Sequence, residues 1–371
     1  MSILSRSLAL ILASSALAFS AQAQTNFPFV LNQAASNFTF GGTTTLGPLV
    51  GNPSNMFQLL GTQNLDLAFQ AGAQPFASGA FTNGGVVGTN GALHAKITGA
   101  FGITLATIDI NNMTLSATSP TFTVGAGGAF NATVVLTALS GQFVVTPLVG
   151  TPSTTDMTGS TSAPTAVNGT LTLLGGNYRM VAPINTVFAF TDPGTGASGN
   201  VTLVGTITAD YPFLKPYCFG DGPGTACPCG NNSTLGQQRG CLHSGAQGAK
   251  LVGSGIPSLT ADTLVLQATS QPAGTLGLFF QGTGQSAAGL GAPFGDGLIC
   301  VGGSIIRLGI KAAPSGSSNY PAAGDASVSV QGLVGGAPTI RNYQLWYRDA
   351  AAFCTAATYN LTNGLQVQWM P

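Results

Sequence analysis

The chain contains no glutamate. All ten of its acids are Asp, and charged residues make up only 5% of the sequence, against about 25% in an ordinary soluble domain. Glu, Lys and Arg are good helix formers, whereas Thr, Val and Phe suit a half-buried pleated surface, so the deficit points to an all-β chain. Basic clusters are missing as well, which leaves no source for counterion release on nucleic acid or for steering to acidic lipid. No nucleic-acid partner is expected. His94 and His243 are the two histidines, and neither a phosphate-binding loop nor a G-x-S-x-G nucleophile elbow occurs. These absences predict a protein without enzymatic activity and without a cofactor.

Cysteine is missing from the first 217 residues and then appears six times, as Cys218, Cys227, Cys229, Cys241, Cys300 and Cys354. The N-terminus supplies the reason for so many. Arg6 in a short polar lead, an apolar run from Leu8 to Phe19 and the small residues Ala21-Gln22-Ala23 have the pattern of a secretory signal cleaved after Ala23. That run is about a dozen residues, short of the roughly 20 a spanning helix needs, and no later run is long enough. An exported chain with an even cysteine count predicts three disulfides. Without Arg6 there are nine basic and ten acidic residues, a net charge of about −1.

About 350 residues follow the signal, a length that suggests two domains. We divide the chain into a signal peptide (1–23), an antiparallel β domain (24–215), a cysteine-rich seam (216–243) and a C-terminal β-sandwich module (244–371). In the first domain, Leu65-Leu67-Phe69, Phe130-Ala132-Val134-Leu136-Ala138 and Val201-Leu203-Gly205-Ile207-Ala209 alternate with small or polar residues. That is the period of strands with one buried face. Ile108-Ile110 and Met113-Leu115 differ in phase by one residue, which predicts a β-bulge or a turn at Asn111-Asn112. About ten to twelve such strands fit either a barrel or a two-sheet sandwich. An outer-membrane barrel alternates in the same way, but Gly and Pro leave many runs short of the about 9–11 residues a spanning strand needs. The motif PLVGxPS occurs at 48–54 and again at 147–153. It suggests a duplicated half or a pseudo-twofold pair of strand exits.

Candidate chemistry is sparse. His94 reads as a cross-strand polar partner. A glycan hydrolase would need two carboxylates flanking a cleft, and Asp66, Asp109, Asp192 and Asp210 are the N-terminal candidates. A closed barrel could instead carry a small apolar ligand. Cys227, Cys229, Cys241 and His243 superficially offer four zinc ligands, but export favours disulfides and zinc would strand the other cysteines. We expect Cys300 to pair with Cys354 and the first four cysteines to pair among themselves. Phe219-Gly220-Asp221-Gly222 recurs as Phe294-Gly295-Asp296-Gly297. It is a turn signal first, and a calcium loop would carry a denser set of acids.

Strands are expected at 262–268, 275–282, 298–311, 326–332, 342–348 and 365–369, as in a jelly-roll-like or immunoglobulin-like module. One segment, Tyr343 to Asp349, concentrates aromatic and charged residues. In a strand, Trp346 shares a face with Gln344 and Arg348, while Tyr343, Leu345 and Tyr347 face the core. Trp346 could stack on a sugar ring while Gln344 and Arg348 bond its hydroxyls; the alternative is a loop-covered Trp with Arg348 paired to an Asp.

CFGDGPGTACPCGN, LFFQG at 278–282, FGDGLICVGG at 294–303, YQLWYRD at 343–349, FC at 353–354 and the terminal YNLTNGLQVQWMP occur in that order. Together, over residues 217–371, they resemble a C-terminal module of uncharacterised secreted proteins of planctomycete-type bacteria. The resemblance implies export and a β-rich, disulfide-bearing terminal module, and brings no activity or functional residue with it. The expected protein is a secreted, non-enzymatic cell-surface or extracellular binding or structural protein, with a polysaccharide or another cell-envelope component as its partner.

Overall fold

A computed structural model describes residues 24–71, 74–192, 196 and 198–371; the segment 1–23, expected to be a signal peptide, lies outside them. The chain is all-β, with large antiparallel sheets. In the first domain eight strands form a ring of antiparallel pairings: Asn37–Thr44, Gly47–Gly51, Leu93–Thr98, Thr104–Thr118, Ala129–Pro147, Thr165–Leu174, Asn177–Thr191 and Ser198–Pro212. Thr104–Thr118 to Ala129–Pro147 and Ser198–Pro212 to Asn37–Thr44 are the contacts that complete the circuit. The sheet is therefore a barrel, the first of the two architectures its alternation allowed.

The strands are longer than their Gly and Pro breaks suggest, reaching 19 residues in Ala129–Pro147. Their apolar residues point inward: Phe130, Ala132, Val134, Leu136 and Ala138 are all buried, as are Leu65, Leu67 and Phe69. A lipid-facing barrel has the reverse polarity. The phase slip is a bulge, with the pairing shifting around Ser140 opposite a strand in which Asn112 takes φ 53°. Asn is among the few residues besides Gly that adopt this conformation at modest cost. The two PLVGxPS copies are not equivalent, contrary to the duplication reading. The first is mostly the strand Gly47–Gly51 with Leu49 buried, whereas the second leaves its strand at Pro147 and exposes Leu148 and Val149.

The C-terminal module is a sandwich of a six-stranded and a three-stranded sheet. Leu251, Leu266, Ala268 and Tyr320 from the smaller sheet meet Phe279, Tyr343, Leu345, Tyr347, Val367 and Trp369 from the larger in one core. Two expectations need correction. Residues 326–332 hold a short helix, Val328–Gln331, in place of a strand. The boundary at 215 falls inside the strand Leu214–Tyr217, which pairs with Gly364–Trp369 of the module. The barrel and the module are also joined from the other end, because Met370 packs in the barrel's core cluster and the Gln368 N–H donates to Phe213 O.

The seam is held by disulfides. Cys218 pairs with Cys300, Cys227 with Cys241 and Cys229 with Cys354, at Cα separations of 5.8, 5.9 and 5.6 Å. The expected Cys300–Cys354 bridge is thus wrong, and only Cys227–Cys241 stays within the first four. The seam lies against two segments of the module that are far from it and from each other along the chain but adjacent in space, which bring Cys300 to Cys218 and Cys354 to Cys229 across 82 and 125 residues. Sequence spacing carries no information about such approaches.

Candidate functional site

The outer face of the larger sandwich sheet carries an open groove of about 480 Å³ lined by Leu278, Phe280, Phe294, Ile299, Ile305, Arg307, Trp346 and Leu361. Cross-strand register brings them together: Leu278 lies opposite Trp346, Trp346 opposite Leu361, and Phe280 opposite Arg307. Arg307 reaches this face through a bulge. The pairing passes from Phe279–Gly309 to Phe280–Arg307 and leaves Leu308 as the extra residue. Leu308 enters the core and the strand's phase changes, turning Arg307 outward.

One wall is the hairpin formed by Ala292–Phe294 and Gly297–Ile299. Phe294 packs on Tyr359 at 5.2 Å between ring centroids, and Tyr359 on Trp346 at 5.4 Å, giving a row of three aromatic rings. Gly295 makes this possible. Its φ is +62°, and a Cβ there would lie 2.3 Å from the Tyr359 ring. The second Phe-Gly-Asp-Gly motif is therefore a turn that admits an aromatic ring. Asp296 is buried beneath it, its Oδ1 accepting from the Thr355 N–H and hydroxyl. Asp221, in the first copy, accepts from the Gly236 N–H. Among the described residues no three His, Cys, Asp or Glu side chains converge as a metal ion would require.

Of the three residues proposed for sugar contact, the structure brings Trp346 to the groove and leaves Arg348 exposed on the same strand two residues on. Gln344 must be withdrawn. It is fully buried, its Oε1 accepts the Cys300 N–H, and its Nε2 donates to Leu298 O and Thr362 O. Alternation places Gln344 on the correct face, but the hairpin and the disulfide cover that end of it. Arg307, Phe294 and Tyr359 were missed by sequence reasoning. The repeated Phe-Gly-Asp-Gly was the one available signal for Phe294; Arg307 had none, because a bulge decides its side. No ion pair engages Arg307 or Arg348 among the described residues.

The remaining candidates have local partners. His94 Nδ1 lies 2.5 Å from Asp109 Oδ1 as a cross-strand pair on the barrel surface. Asp210 makes two hydrogen bonds with Arg179, Asp66 accepts from Asn26, and buried Asp192 accepts from Ser153. The zinc set is dismantled, since Cys227, Cys229 and Cys241 are all in disulfides. His243 is buried, with Nε2 against Ser270 O and Nδ1 accepting the Gly245 N–H. Burial holds its pKa below the usual histidine range, against the opposing pull of the Ser270 carbonyl and Asp349. As for a carrier, the core void lined by Phe38, Phe57 and Gln63 measures about 20 Å³, room for about one water.

No helix among the described residues is long and apolar enough to cross a membrane. No family model, curated protein or solved structure matches the chain.

Proposed function

We propose that the chain is an extracytoplasmic, non-enzymatic binding protein of the cell surface or extracellular space, and that its outer groove takes a sugar ring of a polysaccharide. The observation that carries this reading is Trp346 set between Leu278 and Tyr359 on an open sheet face, with Arg307, which makes no ion pair among the described residues, at its side. An indole face offers a rigid apolar surface on which the C–H face of a pyranose can lie. A guanidinium adds several donors in one plane, suited to vicinal hydroxyls or a carboxylate. With Gln344 withdrawn, the polar contacts fall to Arg307 and Arg348. Export is supported by three disulfides, which persist in oxidising compartments.

Co-sedimentation with isolated cell envelopes and a panel of insoluble polysaccharides tests the proposal. Mature protein should pellet with at least one of them, and Trp346→Ala should remain in the supernatant. If wild type pellets with none, or the variant pellets equally well, the groove is not a glycan site.

A further inference from the structure

The barrel end remote from the C-terminal module displays apolar side chains that no core cluster among the described residues takes up. The strand Ser198–Pro212 starts at this end, where the Thr45 N–H bonds Ser198 O, and finishes beside Leu214–Tyr217 of the module. Beside the connection that precedes this strand, which begins at the buried Asp192, three further connections converge there. The turn between Asn37–Thr44 and Gly47–Gly51 neighbours the turn between Leu93–Thr98 and Thr104–Thr118, because Leu49 pairs with Ile97. The loop after Pro147 neighbours the second turn, since the Leu148 N–H donates to Leu105 O at 2.7 Å. From these connections project Leu46, Phe101, Ile103, Leu148 and Val149, all exposed. Phe101 is entirely exposed and Val149 is 88% exposed.

Phe101 takes φ 60°, a conformation unusual for a bulky side chain, between Gly99 and Gly102. The turn therefore accepts backbone strain while holding an aromatic ring clear of every described neighbour. Residues 45–47, 99–104 and 147–152 contain no charge of either sign. A folded partner would need walls, matched shape and hydrogen bonds, and a ring with no neighbours has no wall beside it. A bilayer needs only uncharged apolar groups presented together at one level. Lys96 faces outward three residues before Gly99, which is about 10 Å along the strand. Apolar groups of interfacial proteins sink about 5–10 Å below the headgroups, so this ammonium comes level with the lipid phosphates.

We propose that this tip inserts into the outer layer of a bilayer with zwitterionic headgroups, as a peripheral anchor at the end of the barrel opposite the C-terminal module. A lone cation gives little attraction to acidic lipid, so binding should be nearly independent of salt and of anionic lipid content.

Mature full-length protein is mixed with phosphatidylcholine vesicles, with and without phosphatidylglycerol, at low and high salt, and sedimented. Wild type should pellet in all four mixtures. Phe101→Ser combined with Val149→Ser should lose about tenfold or more in partitioning while its thermal melt is unchanged. As a second readout, the Val149→Trp variant should show blue-shifted emission on vesicles and more quenching by brominated lipid than wild type shows. Absence of pelleting, equal pelleting of the double variant, or no quenching of the Val149→Trp variant beyond that of wild type would each overturn the anchor. So would a wild-type dimer that the double variant abolishes, which would make a second copy the occupant.

Discussion

The side-chain oxygen of Gln344 accepts the backbone N–H of Cys300 at 2.9 Å, tying the strand that carries Trp346 to the half-cystine bridged to Cys218. Its amide nitrogen donates to Leu298 O and Thr362 O, so one buried side chain satisfies three backbone groups beneath the groove. A buried polar group left without a partner costs about 1–3 kcal/mol. Gln344→Ala should therefore destabilise the protein by about 3 kcal/mol or more, seen as a large fall in the melting temperature by calorimetry. A variant that melts like wild type and loses only polysaccharide binding would restore Gln344 to the ligand surface.

The three disulfides enclose loops of very different length, with separations of 125, 82 and 14 residues. On loop-closure entropy the shortest stabilises by about 3 kcal/mol and the longer two by about 4.5–5 kcal/mol. Double Ser replacement of Cys227 and Cys241 should accordingly be the mildest of the three, in equilibrium urea unfolding. Peptide mapping without reduction should recover Cys218 with Cys300 and Cys229 with Cys354. Recovery of a peptide linking Cys300 to Cys354 would contradict the fold of the seam.

His243 couples stability to pH. Its ring is buried as the neutral form, with the Gly245 N–H on Nδ1, and its folded pKa lies below the unfolded value of about 6.5. As pH falls through that value, the unfolded chain binds a proton that the native state refuses. The stability tied to the neutral ring is therefore complete above about pH 7 and is lost on acidification from about 6.5 toward the folded pKa, at up to about 1.4 kcal/mol per pH unit. Asp156 and Asp325, whose pKa values are lowered by hydrogen bonds from Thr158 and Lys311, titrate below this window. Thermal melts from about pH 7.5 to about pH 5.5, a range set by the histidine value, should show a decline that His243→Gln reduces. Parallel declines in both proteins would assign the effect elsewhere.

Much of the barrel was legible because its signal is local. Alternation along 130–138 identified a buried face, and a phase slip at Asn111-Asn112 identified the bulge where Asn112 turns to positive φ. The same alternation placed Trp346 and Gln344 on one face, yet could not tell that Gln344 is covered and Trp346 is not. Covering is the work of the 292–299 hairpin, about 50 residues away along the chain.

The sequence by itself determined the all-β class, the division into a cysteine-free and a cysteine-bearing part, and the inward face of the long strands. These follow from composition and from a two-residue period, both of which are properties of neighbouring residues. Tertiary structure alone decided that the sheet closes into a barrel, which cysteines meet, and that Arg307, Phe294 and Tyr359 join Trp346 around one groove. Each of those depends on an approach between segments far apart in the chain, or on one bulged residue that reverses the facing of every side chain beyond it.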